Sequence, residues 1–199
     1  MKWIGLGVFL WAMMMGYGLL RDNEQIKDQI VRLHVVANSD SAEDQSVKLQ
    51  VRDAVVAHLN EALQGFQDIE QVKAYLSDHL QTLESIARDV LSELGISDPV
   101  TVCFEKEAFP VRHYETFSLP SGVYQSLRIR IGEARGQNWW CVVFPTLCVP
   151  QTQEGFDDVA AGAGFSHELT GTLTGEEDYE VRFFILDLLG RLENILARG

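Results

Sequence analysis

The side chains best suited to chemistry in this chain are five histidines, 29 acidic residues and three cysteines, and their spacing decides what they can do. His34, His58, His79, His113 and His167 show no metal-ligand spacing, and His167-Glu168 lacks the second histidine that a zinc-protease helix needs. His58 falls on an apolar helix face, where a histidine satisfied in a core or interface is commoner than a ligand. No Gly-x-Ser-x-Gly elbow offers a nucleophile. Gly162-Ala163-Gly164 has neither the strand before it nor the helix after it that a phosphate loop requires. Asp40, Glu43 and Asp44 cluster at a helix start, where capping and the helix dipole account for them. Asp40-x-Ala42-x-Asp44 also lacks the later glycine and closing glutamate of a calcium loop. The expectation is a chain with no catalytic residue, no metal and no cofactor.

Asn138-Trp139-Trp140-Cys141 is the most distinctive string. Adjacent residues on a strand point to opposite faces, so one tryptophan enters the core. The other is covered by a helix or serves as a partner contact. Cys141 and Cys148 enclose six residues. In an oxidising compartment a bridge between them would close a short loop and contribute about 2–3 kcal/mol, leaving Cys103 unpaired in its strand. Three free thiols are the alternative, because sequence does not supply the geometry.

The elements that carry these residues follow from periodicity. After Lys2 an uncharged run of eighteen residues extends from Trp3 to Leu20 and ends at Arg21. That length lies between a signal-peptide core and a full membrane helix, and residues 1–21 are read as a signal peptide or N-terminal membrane anchor. Either places the rest of the chain outside the cytoplasm, with membrane contact through residues 3–20 in the uncleaved form. Sixteen Lys+Arg against 29 Asp+Glu give a net charge of −13, which argues against nucleic acid and against electrostatic adhesion to anionic lipid.

Val31, Leu33 and Val35 alternate with Arg32 and His34, which reads as a strand with one buried face. Asp40 and Glu43 fit a helix start, and a helix is expected from Ser41 to Leu63. A single second helix follows from Ile69 to Leu94, with Asp68 as its cap. Period-two segments begin at Val100 and Val123, with a less regular strand-like segment from Phe109 to Phe117 and a continuous apolar run from Trp139. Gly132 to Gly136 reads as a hairpin connection, and Trp139 to Phe144 as a strand covered on both faces. Gln151 to Glu180 holds eight acidic residues and no Lys or Arg, and is read as a flexible linker. A last amphipathic helix starts at Val181; it is expected to pack back on the sheet, with a free arm for a partner as the alternative. The fold expected is α+β: an antiparallel or mixed sheet of about four to five strands, helices on one face, and the hydrophobic segment in front. The domain boundaries are 30–149 for an α+β domain, 150–179 for the acidic linker and 180–199 for the C-terminal helix.

Several blocks resemble the stage II sporulation protein R family. They are Leu33-His34-Val35-Val36-Ala37-Asn38-Ser39-Asp40-Ser41, Glu43-Asp44-Gln45, Val51-Arg52-Asp53-Ala54-Val55, Leu119-Pro120-Ser121-Gly122-Val123-Tyr124, Ile131-Gly132-Glu133, Asn138 through Cys148, and Val181-Arg182-Phe183-Phe184-Ile185. The resemblance implies a signal without enzymatic activity of its own, exported from the forespore into the space between forespore and mother cell. There it triggers a membrane-embedded aspartic protease that processes the sigma-E precursor. Thr146 departs from the family's proline, and the spacer from Arg21 to Ile30 is short for an anchored form to reach across. Asn38, Ser39, Asp40, Asn138, Trp139 and Trp140 are the residues expected to contact the partner or to define the architecture. For Asn38 a left-handed turn or a helix cap is the alternative. Other function classes are an exported cell-envelope hydrolase, which would gather Asp40, Asp44 and a histidine in one pocket, and a self-assembling structural envelope protein.

Overall fold

The computed structural model describes residues 2–66, 68–114, 116–145, 160–162, 164–175 and 180–197, with side chains from residue 16 onward in these ranges, Glu180 aside. The chain is α+β. Its helices are α1 (Lys2–Gln29), α2 (Ala42–Ala62), α3 (Ile69–Asp78), α4 (Leu80–Glu93), α5 (His167–Thr174) and α6 (Glu180–Ala197). Its strands are β1 (Val31–Val36), β2 (Val100–Phe109), β3 (Arg112–His113), β4 (Ser118–Leu119), β5 (Gly122–Ile131) and β6 (Asn138–Phe144). Two compact units divide it: a sheet unit of 29–107 and 124–151, and a second unit of 1–28, 108–123 and 152–199.

The sheet unit is built on a four-stranded mixed sheet in the order β2-β5-β1-β6. β1 runs parallel to β5 (Val31 opposite Gln125, Val36 opposite Arg130) and antiparallel to β6 (Leu33 opposite Cys141, Val36 opposite Asn138). This overturns the expected hairpin, because β1 lies between β5 and β6. The physical reason is burial: all six residues of β1 are buried, Arg32 and His34 included, where the alternation predicted one solvated face. A strand buried on both faces belongs inside a sheet. The loop 132–137 must therefore cross the end of β1.

One face of the sheet carries Leu33, Val35, Leu127, Ile129, Cys141 and Val143 into the core. Against it pack Val47, Val51, Val55 and Leu59 of α2, Val72 and Leu76 of α3, and Leu83, Ala87 and Leu91 of α4. Their spacing of four residues within each helix makes the apolar stripes visible in sequence. Each fully buried aliphatic side chain contributes about 1.5–3 kcal/mol.

Two helix boundaries differ from expectation. The expected single helix is broken at His79, whose backbone leaves helical geometry (φ −113°, ψ 18°). The His79 ring stacks on Tyr75 at 4.0 Å, and its Nδ1 lies 2.8 Å from the Tyr75 carbonyl oxygen. The ring shares that carbonyl with the His79 backbone N–H at 3.0 Å, and because the break leaves the apolar period undisturbed, periodicity does not reveal it. At the start of α2 the cap is Ser41, whose hydroxyl accepts the Asp44 N–H at 3.1 Å; Asp40 is engaged elsewhere.

In the second unit α6 packs with α1 and with the turn Pro120–Gly122. Lys27 pairs with Glu24 at 2.8 Å and Glu193 at 2.9 Å, and Arg182 pairs with Asp22 and Glu168. Asp187 accepts the Ser121 N–H at 2.9 Å and the Ser121 hydroxyl at 2.7 Å, and Arg191 Nε donates to it at 2.8 Å. Burial disfavours the charged carboxylate, but these Ser121 and Arg191 bonds outweigh it and hold Asp187 below the usual range. Gly190 permits the contact, since a Cβ there would stand 1.5 Å from the Ser121 carbonyl oxygen. The stretch read as an acidic linker contains α5, capped by Ser166 and burying Leu169 and Leu173. Residues 151–159, 163 and 176–179 of that region lie outside the described residues.

Candidate functional site

The two blocks singled out in the sequence meet at one end of the sheet unit, because the 132–137 loop crosses the end of β1 there. Asn38 Oδ1 accepts the Glu133 N–H at 2.9 Å, and its Nδ2 donates to Asp44 at 3.2 Å. The Asn38 carbonyl accepts the Arg135 N–H at 3.1 Å, and the Ala37 carbonyl accepts the Gly136 N–H at 3.0 Å. Asp40 Oδ1 accepts the Gln137 N–H at 2.6 Å. Ser39 donates its hydroxyl to Asp44 in a short bond, while its carbonyl accepts from the Gln45 side chain at 2.9 Å. Asn38 is thus a bridge between segments; the non-glycine residue with left-handed φ among the described residues is Ala134 (φ 51°). Gly132 (φ 58°) and Gly136 make the crossing sterically feasible, since a Cβ at either would lie 2.3 Å from Asn38 Oδ1 or 2.2 Å from the Ser39 carbonyl oxygen.

α2 supplies the third wall. Lys48, 5% exposed, donates to the Gln137 carbonyl at 3.1 Å and to Gln45. Burial first, and the neighbouring Arg52 charge second, lower its pKa, with Asp40 acting the other way. The Asp44 carboxyl sits below the usual range, held there chiefly by the Ser39 hydroxyl and also by Asn38 and Ser41, against the opposing effect of burial.

β6 brings the tryptophans to this end. Its first residues are less covered than the continuous apolar run predicted: Asn138 and Trp139 are exposed and Trp140 half-buried, because β6 is a terminal strand of the four-stranded sheet and begins at its rim. The two tryptophans do take opposite faces. Trp139 opposes Val35, on the face that α2 covers, and the Arg52 guanidinium lies 4.2 Å from its ring centre. Trp140 opposes His34 on the other face, with ring centres 5.5 Å apart.

Behind them lies a polar network. His34, 5% exposed, places Nδ1 at 2.8 and 3.0 Å from the Glu107 carboxylate oxygens and Nε2 at 2.9 Å from Asn138 Oδ1. Ser126 donates to Glu107 at 3.1 Å, and Arg128 lies 3.6 Å away. Burial works against ionisation of Glu107, but the hydrogen bond and electrostatic pull of His34, then Arg128 and Ser126, outweigh it and keep the carboxyl below its ordinary range.

The span holding all of this is the one that known proteins share. The family model for stage II sporulation protein R matches residues 27–154. This chain belongs to the stage II sporulation protein R family. The stage II sporulation protein R of Bacillus subtilis (strain 168) is 30% identical over 186 residues, covering 84% of this chain and 83% of that protein. No solved structure matches. The family match contains every strand of the sheet and both motif blocks, so the assembled end is built wholly from family-matched residues.

Among the described residues no group of three or more His, Cys, Asp or Glu is placed to hold a metal ion, and no helix is long and apolar enough to cross a membrane. The side chains of residues 1–15 lie outside that description. Cys141 is disulfide-bonded and Cys103 is a free, half-buried thiol; Cys148 lies outside the described residues. Burial, then Glu105, raises the Cys103 pKa. His58 meets the Tyr75 hydroxyl at 3.2 Å, as an interface histidine would.

Sequence reasoning missed His34, Glu107, Lys48 and Arg52. Lys48 and Arg52 stand one turn apart on α2, which marks a shared face. The Gly132–Gly136 pair is the other readable signal, for a backbone pressed against a neighbour. Nothing local to Glu107 points to His34, since β5 separates their strands.

Proposed function

We propose that this chain is an extracytoplasmic sporulation signal that works by contact. In this reading the apolar segment at residues 3–20 takes it across the forespore membrane, as a signal peptide or an anchor. It then acts in the space between forespore and mother cell, without catalysis of its own. The end formed by Asn38, Ser39, Asp40, Asn138, Trp139 and Trp140 engages a membrane-embedded aspartic protease of the mother cell, and that protease processes the sigma-E precursor.

The observation that carries the reading is the convergence of the two motif blocks, with Trp139 left 37% exposed over a polar frame whose groups satisfy one another. A large aromatic ring fixed at a rigid rim has the character of a binding hot spot, since little ordering remains to be done on docking. Asp40 and Asp44, the carboxylates a hydrolase would need together with a histidine, spend their oxygens on Gln137, Asn38 and Ser39. The tying of Asn38 and Asp40 to the loop also means that part of the motif serves architecture, and Trp139 is the best single candidate for the contact itself.

The test is co-expression of this chain with the protease and the sigma-E precursor in a non-sporulating host, scoring precursor cleavage on gels. Cleavage is expected to require this chain and its residues 1–21, and to be lost in Trp139→Ala. Failure of cleavage with all three proteins present and exported would overturn the proposal and return the envelope-hydrolase reading to consideration.

A further inference from the structure

The packing of α6 is the reverse of an ordinary surface helix. Its inner side carries Asp187, Gly190 against the Ser121 carbonyl, and Asn194, which donates to the Phe109 carbonyl at 2.8 Å. Its outer side carries Val181, Phe184, Leu188, Leu192, Ile195 and Leu196, exposed by 47% at Leu188 and up to 81% at Leu196. Gaps of three and four residues set the first five on one stripe. Exposed apolar residues are ordinary when scattered singly, whereas a continuous stripe marks a contact.

Two observations bear on what covers it. Every charged side chain from Val181 to Ala197 is paired within the second unit: Arg182 with Asp22 and Glu168, Asp187 with Arg191, and Glu193 with Lys27 at 2.9 Å. No charge is left over to seek a phosphate or an acidic peptide. The helix also begins where the apolar segment stops. Arg182 pairs with Asp22, two residues after the uncharged run Trp3–Leu20 closes, and Tyr17 and Leu20 of that run are exposed as well. Both elements thus show apolar side chains to the outside just ahead of the ion pair that joins them. Set against the same stripe of a second copy, these six side chains would bury on the order of 1,000 Å², at the lower limit for a stable dimer and with no polar group to fix a register. A fluid bilayer asks for no register.

We infer that the outer face of α6 lies on a lipid bilayer, with its apolar stripe sunk among the upper acyl chains beside the point where residues 3–20 enter. This rests on the proposed reading of residues 3–20 as the membrane segment, and gives the second unit a shallow foothold of its own. A helix held this way lies in the interface plane with its apolar face about 5–10 Å deep. The attraction is apolar, so neutral lipid suffices, and a chain of net charge −13 gains nothing from anionic lipid.

The experiment uses the full chain reconstituted in phosphatidylcholine vesicles. A fluorophore is attached by thiol chemistry at Leu192→Cys on α6, at Leu20→Cys, or at Asp89→Cys, an exposed site on α4 of the sheet unit, with Cys103→Ser removing the free thiol. Lipids carrying a nitroxide high on the acyl chain report contact by quenching. Leu192 and Leu20 sites are expected to be quenched and the Asp89 site not. Replacing a third of the lipid by phosphatidylglycerol should not strengthen the quenching at Leu192, and Leu188→Asp should bring it down to the Asp89 level. Quenching at Leu20 without quenching at Leu192 overturns the inference and spares the membrane reading of residues 3–20; no quenching at either overturns both. Equal quenching at all three sites, quenching that needs anionic lipid, or quenching that survives Leu188→Asp overturns the inference too. So does an unquenched Leu192→Cys that cross-links to its counterpart, which hands the stripe to a second copy. Quenching does not depend on the protease, so a failed cleavage assay beside a quenched Leu192 sinks the partner reading alone.

Discussion

The loop 132–137 of the sheet unit and the turn 120–122 of the second unit are held by the same device. In each, a short polar side chain from a distant segment satisfies backbone N–H groups, and a glycine lets the two backbones close in: Asn38 and Asp40 with Gly132 and Gly136 in one, Asp187 with Gly190 in the other. They differ in what stands beside the joint. In the sheet unit the neighbouring polar groups are bonded to one another and a single aromatic ring is left outside, with Arg52 stacked on it. In the second unit Arg182 and Asp187 of α6 turn inward, and Val181, Phe184, Leu188, Leu192, Ile195 and Leu196 are exposed. A fixed ring above satisfied polar groups is built for one orientation of contact. A helix face of aliphatic side chains has no such directionality. That difference is why the proposed contact is placed at the tryptophan end.

The comparison breaks most severely at the glycines. Gly136→Ala and Gly190→Ala each drive a methyl group into a backbone carbonyl, and each should cost about 3 kcal/mol or more in denaturant unfolding. An unchanged midpoint in either would remove the close approach from the account. Next come the anchoring side chains. Asp187→Ala strands the buried Ser121 groups and should cost about 2–3 kcal/mol, whereas Asn38→Ala frees a Glu133 N–H that water can reach and should cost about 1–2 kcal/mol. Equal losses would mean that the two joints do not differ in burial as described.

Acid should weaken both units. Asp187 and Glu107 have depressed pKa values in the fold, so their stabilisation is complete above the ordinary carboxyl range and disappears as pH falls through the folded values. Thermal unfolding is expected to drop below about pH 4, and Asp187→Asn should flatten that drop; an equally steep drop in the variant would sink the assignment. The smallest effect on stability belongs to Trp139→Ala. Its stacking with Arg52 contributes about 0.5–1 kcal/mol, yet precursor cleavage should vanish. Leu188→Asp on the outward face of α6 should leave cleavage intact, and the opposite pair of results would move the contact surface to α6.

Much of the fold was legible because burial leaves a period. The stripes Val47-Val51-Val55-Leu59 and Leu83-Ala87-Leu91 announced helices on one face, and Gly65 and Gly95 marked their ends. What periodicity cannot carry is order across the sheet. Gly132 to Gly136 looked like a hairpin because neighbours in sequence usually pair, and only the burial of Arg32 and His34 tells that β1 divides β5 from β6. The candidate end was legible as two separate strings, Ala37 to Asp40 and Asn138 to Trp140. That they meet, and that His34 and Glu107 stand behind them, depends on the strand order and so stayed hidden.

The central place of β1 has a consequence for how the molecule is made. Its six residues precede their partners, residues 125–130 and 138–144, by roughly a hundred positions, so nothing nearby can complete its ladder. Contacts of such long separation form late and slowly, after the entropy of closing the intervening chain has been met. If the chain is exported as proposed, the first strand would reach the far side before either neighbour, and the sheet could not lock until the last strand had followed. Assembly of the candidate end would then be the closing event of folding.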